Sequence, residues 1–215
     1  MAADASVAFE PRKTPVQARS TVTVEAISEA TVQVLLSQGA DRLTTTRIAH
    51  RAGVSVGTLY QYFPNKQSVL FAALEHHLNH VMTRVETACE NACHTPLAEM
   101  IRETVEAFVD AKMERSDISV ALYRVTAGVG GHALIKRINQ RSCRAVEAML
   151  ATATDIASPP DKLAIEMMLA AMAGAMRSLL EAAPSPATVR KSREQLVLLC
   201  QSYMAAATGT VAPTA

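Results

Sequence analysis

The chemistry-bearing residues of this chain are densest between positions 44 and 66, TTTRIAHRAGVSVGTLYQYFPNK. The chain holds four Tyr, four Phe and no Trp, yet Tyr60, Tyr62 and Phe63 fall within four residues. At helical spacing Leu59 and Phe63 share one face and read as core, which turns Tyr60 and Tyr62 elsewhere. Their phenol hydroxyls, with the Lys66 ammonium, are groups that reach phosphate oxygens. Hydroxyls and cations in this pattern suit recognition of a polyanion rather than bond-breaking chemistry.

These groups need short, sharply bounded helices to position them. Thr44 is an N-cap for a helix through Ile48 and Ala49, and Gly53 is the small residue that stops it. Val54 is the apolar turn residue, and Ser55 caps a second helix from Val56 to about Phe63. Pro64 breaks that helix and Asn65 caps a third. Such a helix-turn-helix lays its second helix in the DNA major groove. Free N–H groups at the start of the third helix, beside Lys66, can hold a phosphate.

The run Thr44-x-x-x-Ile48-Ala49-x-x-Ala52-Gly53-Val54-Ser55-x-Gly57-Thr58-Leu59-Tyr60-x-Tyr62-Phe63-x-x-Lys66 resembles the DNA-binding pattern of the TetR (tetracycline-repressor-like) family of bacterial transcriptional regulators. With the preceding helix it covers about a quarter of the chain. Arg47 departs from it mildly, standing where a capping-box Glu or Gln would support Thr44. The resemblance implies that Thr44, Thr45, Thr58, Tyr60, Tyr62 and Lys66 position phosphates. It also implies that Thr46, Val56 and Gly57 approach bases, with Ser55 between the two helices. Val56 and Gly57 bring no hydrogen-bonding side chain, so readout there rests on thymine methyls and close backbone approach. Arg47 is the local candidate for a guanine contact, or equally for a phosphate.

Charge supports this placement. The net charge of +1 conceals a division: residues 11–66 carry seven Lys or Arg against three acids, whereas residues 67–215 carry 14 against 15. The cationic surplus therefore lies with the helix-turn-helix, as phosphate contact requires. It is modest, which favours two modules acting together.

Composition is that of a folded chain, with 49% hydrophobic and 19% charged residues, and Ala, Leu, Met, Glu and Arg at helical periods. The expectation is an all-α protein: a three-helix DNA-binding domain followed by a larger helical effector-binding and dimerisation domain. Residues 1–17 read as a flexible basic arm, 18–66 as the DNA-binding domain and 67–80 as a connecting helix. Residues 81–208 read as the second domain and 209–215 as a frayed tail. Gly128, Gly130 and Gly131 read as a hinge. The run Met167–Met176 is too short to span a bilayer, and four cysteines without a signal peptide fit a cytoplasmic, nucleoid-associated protein.

The last two helices supply a pairing surface. Residues 163–180, LAIEMMLAAMAGAMRSLL, are apolar nearly all round and so require burial on more than one side. Ala170, Gly174, Leu196, Leu199 and Tyr203 are the expected contacts of a homodimer, in which two copies of the helix pair make a four-helix interface. A two-fold pair suits a pseudo-palindromic double-stranded operator. In the resembled family the second domain encloses a small-molecule effector. Flexible Met side chains suit an apolar pocket, and Met100, Phe108, Met113, Tyr123, Met168 and Met172 are its candidate lining. No cofactor and no membrane partner are implied.

Arg137, Arg141 and Arg144 share a helix face that could grip an anion, and a solvated face fits them better. The pairs His76/His80 and Cys89/Cys93 each offer half a metal site without a second half. No catalytic motif occurs, which argues against an enzyme. The resemblance points to a ligand-released repressor.

Overall fold

The structure is a computed structural model, and it describes residues 18–125 and 131–209. The expected arm at 1–17, the glycines at 128 and 130, and residues 210–215 lie outside them. The described residues form nine α-helices and no strand: α1 (Ala18–Gln38), α2 (Thr45–Ala52), α3 (Val56–Tyr62), α4 (Lys66–Asn91), α5 (Leu97–Glu114), α6 (Ser116–Val125), α7 (Gly131–Leu150), α8 (Lys162–Glu181) and α9 (Pro186–Ala207). Gly131, read from sequence as part of a hinge, is the first residue of α7.

Two compact units divide the chain. Residues up to 78 together with 117–135 form one, and residues 79–116 together with 136 onward form the other. The expected break near residue 80 falls inside α4, which runs unbroken for 26 residues. No Pro or Gly interrupts that stretch, so nothing in its backbone chemistry ends the helix there.

In the first unit α1 packs on α2, and α2 on α3. The stripe Ile27, Ala30, Val34 and Leu35 is buried as its spacing dictates. Thr31, also fully buried, returns its hydroxyl to the Ile27 carbonyl at 2.7 Å, so its burial leaves no orphan donor. Gly39 ends α1 at φ +79°, a conformation that costs an L side chain dearly. Ile27, Leu43, Ile48, Leu59 and Phe63 are fully buried and close the core beneath α2 and α3.

In the second unit α5 packs against α8 and α9, and α8 against α9. The first turn of α5 follows Pro96, whose side chain makes no cap bond. Its orphan N–H groups are served from elsewhere in the chain: the Leu97 N–H donates to the Asp155 carboxylate at 2.7 Å. His94, just before, holds φ 64° while its N–H donates to the Thr152 hydroxyl at 2.9 Å. Gln201 of α9 donates to the Ala98 carbonyl at 2.7 Å, and Arg193 forms an ion pair with Asp110 of α5.

Candidate nucleic-acid interface

Helices α2 and α3 are only eight and seven residues long, too short to hold themselves in water. Their ends are therefore built with care. The Thr44 hydroxyl accepts from the Arg47 N–H at 3.3 Å, and the Ser55 hydroxyl accepts from the Thr58 N–H at 2.9 Å. Gly53, at φ 68°, lets the Val54 N–H reach the Ala49 carbonyl at 3.0 Å and its own N–H reach His50 at 3.3 Å. At the start of α4, Asn65 and Ser68 cap each other: the Ser68 N–H donates to Asn65 Oδ1 at 2.8 Å, and the Asn65 N–H to Ser68 Oγ at 3.3 Å.

With the caps in place, Leu59 and Phe63 anchor α3 and its opposite side is left open. Thr44, Thr46, Arg47, Ser55, Gly57 and Tyr60 are exposed, and Thr45, Val56, Thr58, Tyr62 and Lys66 are half-buried. Tyr60 is 44% exposed and does not pack beneath the helix. Its hydroxyl lies 3.1 Å from that of Thr45, tying α3 to the first turn of α2. Arg47 donates through Nη1 to the Arg42 carbonyl at 2.8 Å, so this cation is held against its own backbone. Arg51 is likewise engaged, by Gln33 of α1.

Gly57 is informative by what it does not do. A Cβ added there would meet only Ser55 Oγ, at 3.6 Å, an ordinary contact. The fold thus has no need of glycine at this position, although glycine weakens a helix by roughly 1 kcal/mol relative to alanine. The outward side of this position is exposed, bare backbone.

The second unit holds most of the expected effector residues. Met100, Met168 and Met172 are buried on helices that pack together, while Phe108 and Met113 are half-buried on α5. Tyr123 is half-buried on α6 and belongs to the first unit, so the structure does not group it with the others. Two other methionines have structural partners: Met82 Sδ accepts from Ser142 at 2.8 Å, and Met149 Sδ faces Thr104 at 3.8 Å.

Sequence reasoning missed Lys112. It is 3% exposed in the middle of the second unit, the one buried Lys, Arg, Asp or Glu among the described residues. Desolvation pushes its ammonium down to about 8. Nothing in the local pattern announces it, because a lysine on an amphipathic helix ordinarily lies outward.

Arg141 neither waits for an anion nor lies on a purely solvated face, the reading that fitted the row of arginines better. Its guanidinium forks onto Glu86 at 2.6 and 2.5 Å and reaches Asn79 at 3.0 Å, and the Glu86 hydrogen bond raises its pKa. The buried thiols of Cys89 and Cys200 are pushed up to about 11 by burial, and that of Cys143 is raised, which makes all three poor nucleophiles at neutral pH.

Along α8, Leu163 and Met167 are 61% and 56% exposed, and Ala170 and Gly174 continue the exposed face. Leu199 and Tyr203 of α9 are exposed, at 53% and 40%. Leu196 does not join them. It lies with Cys200 and Met204 on the buried stripe of α9, at 6% exposure, so it is core of the chain itself. The four-residue step 196–200–204 and the step 199–203 run on different sides of one helix.

These features define an all-helical protein with a helix-turn-helix DNA reader and a separate helical domain. The description "Tetracyclin repressor-like, C-terminal domain" matches residues 96–204, and "Bacterial regulatory proteins, tetR family" matches residues 27–73. The chain belongs to the TetR family of bacterial transcription regulators, which are DNA-binding proteins and not enzymes. It is 46% identical over 39 residues to the nucleoid occlusion factor SlmA of Haemophilus influenzae, a match spanning 18% of this chain and 18% of that protein. A TetR-family transcriptional regulator from Streptomyces coelicolor shares the fold at TM-score 0.66 and 20% identity, covering 87% of this chain and 82% of its own. SmeT, the repressor of the Stenotrophomonas maltophilia multidrug efflux pump SmeDEF, does so at TM-score 0.64 and 20% identity, covering 84% and 91%.

Proposed function

We propose that this protein is a cytoplasmic homodimeric repressor that binds a pseudo-palindromic operator and is released from it by a small, largely apolar effector. The observation that carries the DNA side is the outward face of α2 and α3, where Thr44, Thr46, Tyr60 and the bare backbone of Gly57 stand open over a buried Leu59–Phe63 anchor. Thr44, Thr45, Thr58, Tyr60, Tyr62 and Lys66 position the phosphates, and Thr46, Val56 and Gly57 meet the bases. Arg47 must leave the Arg42 carbonyl to reach DNA, an exchange of one hydrogen bond for a charge-assisted one.

The reading of a dimer rests on α8. This helix is 20 residues long with mean hydropathy 1.5, long and apolar enough to cross a membrane by length and composition, yet only 28% of that window is buried within the chain. Its Met168, Met172 and Met176 are buried, which leaves Leu163, Met167, Ala170 and Gly174 to face a second copy, with Leu199 and Tyr203 alongside. Ala170 and Gly174 are small enough for close helix approach. The effector reading rests on the methionines of α5 and α8.

Selection of random double-stranded DNA by the purified protein, followed by sequencing, tests the proposal. The expected product is an inverted repeat whose half-sites lie about 34–36 Å apart, or a multiple of that. An apolar compound that acts as effector raises the melting temperature of the free protein and weakens operator binding, because it favours one of two states. Failure to enrich any motif would sink the regulatory reading.

A further inference from the structure

Between residues 20 and 78 the Lys and Arg side chains are Arg42, Arg47, Arg51 and Lys66, and the fold treats the three arginines unequally. Arg47 donates to the Arg42 carbonyl at 2.8 Å. Arg51 donates to Gln33 Oε1 at 2.5 Å, and Gln33 in turn donates to the Glu29 carboxylate at 3.1 Å. The side chain of Arg42 is exposed and makes no hydrogen bond or ion pair among the described residues. It lies two residues before Thr44, ahead of the pattern that the chain shares with its family.

The backbone that carries this free cation is nevertheless held. Arg42 sits in the turn between α1 and α2, next to Leu43, a core anchor that is 1% exposed. The Leu43 N–H reaches the Ala40 carbonyl at 3.3 Å, and the Arg42 carbonyl accepts from the Arg47 guanidinium. A fixed backbone with a free cation meets a polyanion with nothing to undo, whereas an engaged guanidinium must first give up an internal bond. Two residues of chain span at most about 7 Å, so Arg42 starts within that reach of the Thr44 backbone. Asp41 is the one carboxylate in residues 30–74, so with Arg47 folded against it the turn keeps a positive charge. Exposed charges are screened from one another beyond about 8–10 Å at physiological salt, so the position of a cation decides what it contributes.

We infer that Arg42 is a DNA-phosphate contact of this chain, set outside the family's shared pattern, and that the equally exposed Arg51 is not one. The inference rests on the proposed phosphate role of Thr44 and adds a specific cation beside it. A phosphate contact carries charge but no sequence information. Its loss therefore appears in the salt dependence of binding and not in the motif selected.

The test is fluorescence-anisotropy titration of the full chain with the duplex recovered by selection from random DNA, from about 50 to about 200 mM salt. Each phosphate contact contributes about 0.9 to the slope of log K against log salt. Arg42→Gln should lower that slope by about 0.9 per bound protomer, about 1.8 for a two-fold pair, and Arg42→Lys should restore it. Arg51→Gln removes the same charge and should leave the slope at the wild-type value. Both side chains are exposed, so neither variant uncovers core. A slope unchanged by Arg42→Gln would overturn the inference. So would equal falls for the two Gln variants, which would mark a general field in place of a contact, or a new selected motif for Arg42→Gln, which would mark base reading. Wild-type binding without salt dependence would instead strike down the phosphate reading on which the inference stands.

Discussion

Helices α2 and α3 on one side, and helix α8 on the other, both leave much of their length uncovered, and what they expose is opposite in kind. The short pair shows hydroxyls, a phenol, cations and a bare glycine backbone, fixed by side-chain caps at both N-termini. Helix α8 has one side-chain cap bond at its N-terminus, donated by the Leu163 N–H to the Asp161 carboxylate at 3.2 Å, and then shows Leu163, Met167, Ala170 and Gly174. The first surface keeps its polar groups ready for a charged partner that arrives and leaves. The second exposes apolar area that water disfavours, and the proposed second copy would cover it. Burying apolar surface contributes about 25 cal/mol per Å², so an interface of standard size on this face supplies ample drive for association.

The comparison breaks first where the short helices are anchored. Leu59→Ala removes the fully buried anchor of α3 and should destabilise the protein by about 2–5 kcal/mol, read by thermal or urea melting. DNA binding should fall with it. An unchanged melting curve would mean that α3 is held by its caps alone, contrary to the view that packing fixes it.

Charging the long helix comes next. Met167→Glu combined with Gly174→Glu should leave the protomer folded, because both positions are exposed, and should convert dimer to monomer in analytical ultracentrifugation. Loss of the second half-site should weaken operator binding by roughly 100-fold or more. A variant that stays dimeric would remove α8 from the interface.

Lys112 sharpens the contrast from inside. Its folded-state pKa of about 8 lies below the ordinary lysine value of about 10.4, so between these limits the unfolded chain binds a proton that the folded chain does not. Stability from this residue therefore rises with pH through that window, and its burden is full below about pH 8. Lys112→Met should flatten that rise, as denaturant titrations from pH 7 to 10 would show. An unaltered pH profile would mean that other groups govern it.

The smallest effect separates folding from recognition at one residue. Gly57→Ala should raise stability by up to about 1 kcal/mol, since the fold has room for the methyl. It should weaken operator binding at the same time. If binding were untouched, close backbone approach at Gly57 would not be part of base reading.

Much of the DNA-reading end was legible because its signals are local. Thr44, Gly53, Ser55 and Asn65 act within four residues of themselves, so a cap read from sequence is nearly the cap in the fold. The chain's interior was less legible. Leu196 and Leu199 look alike on the α9 pattern, and only the packing of α5 and α8 on that helix decides which is core. Arg141 reads as part of a solvated face until α4 brings Glu86 to it.

By itself, then, the sequence determined the class: all-helical, with a capped helix-turn-helix and a cationic surplus beside it, because helix periodicity, caps and charge are written in neighbouring residues. Tertiary structure alone decided the rest. It gave α5 its first-turn partner in Asp155, buried Lys112, turned Leu196 inward, and joined His77 to Ser119 across 42 positions. Each of these depends on which distant helix arrives at a given face, and no local pattern carries that information.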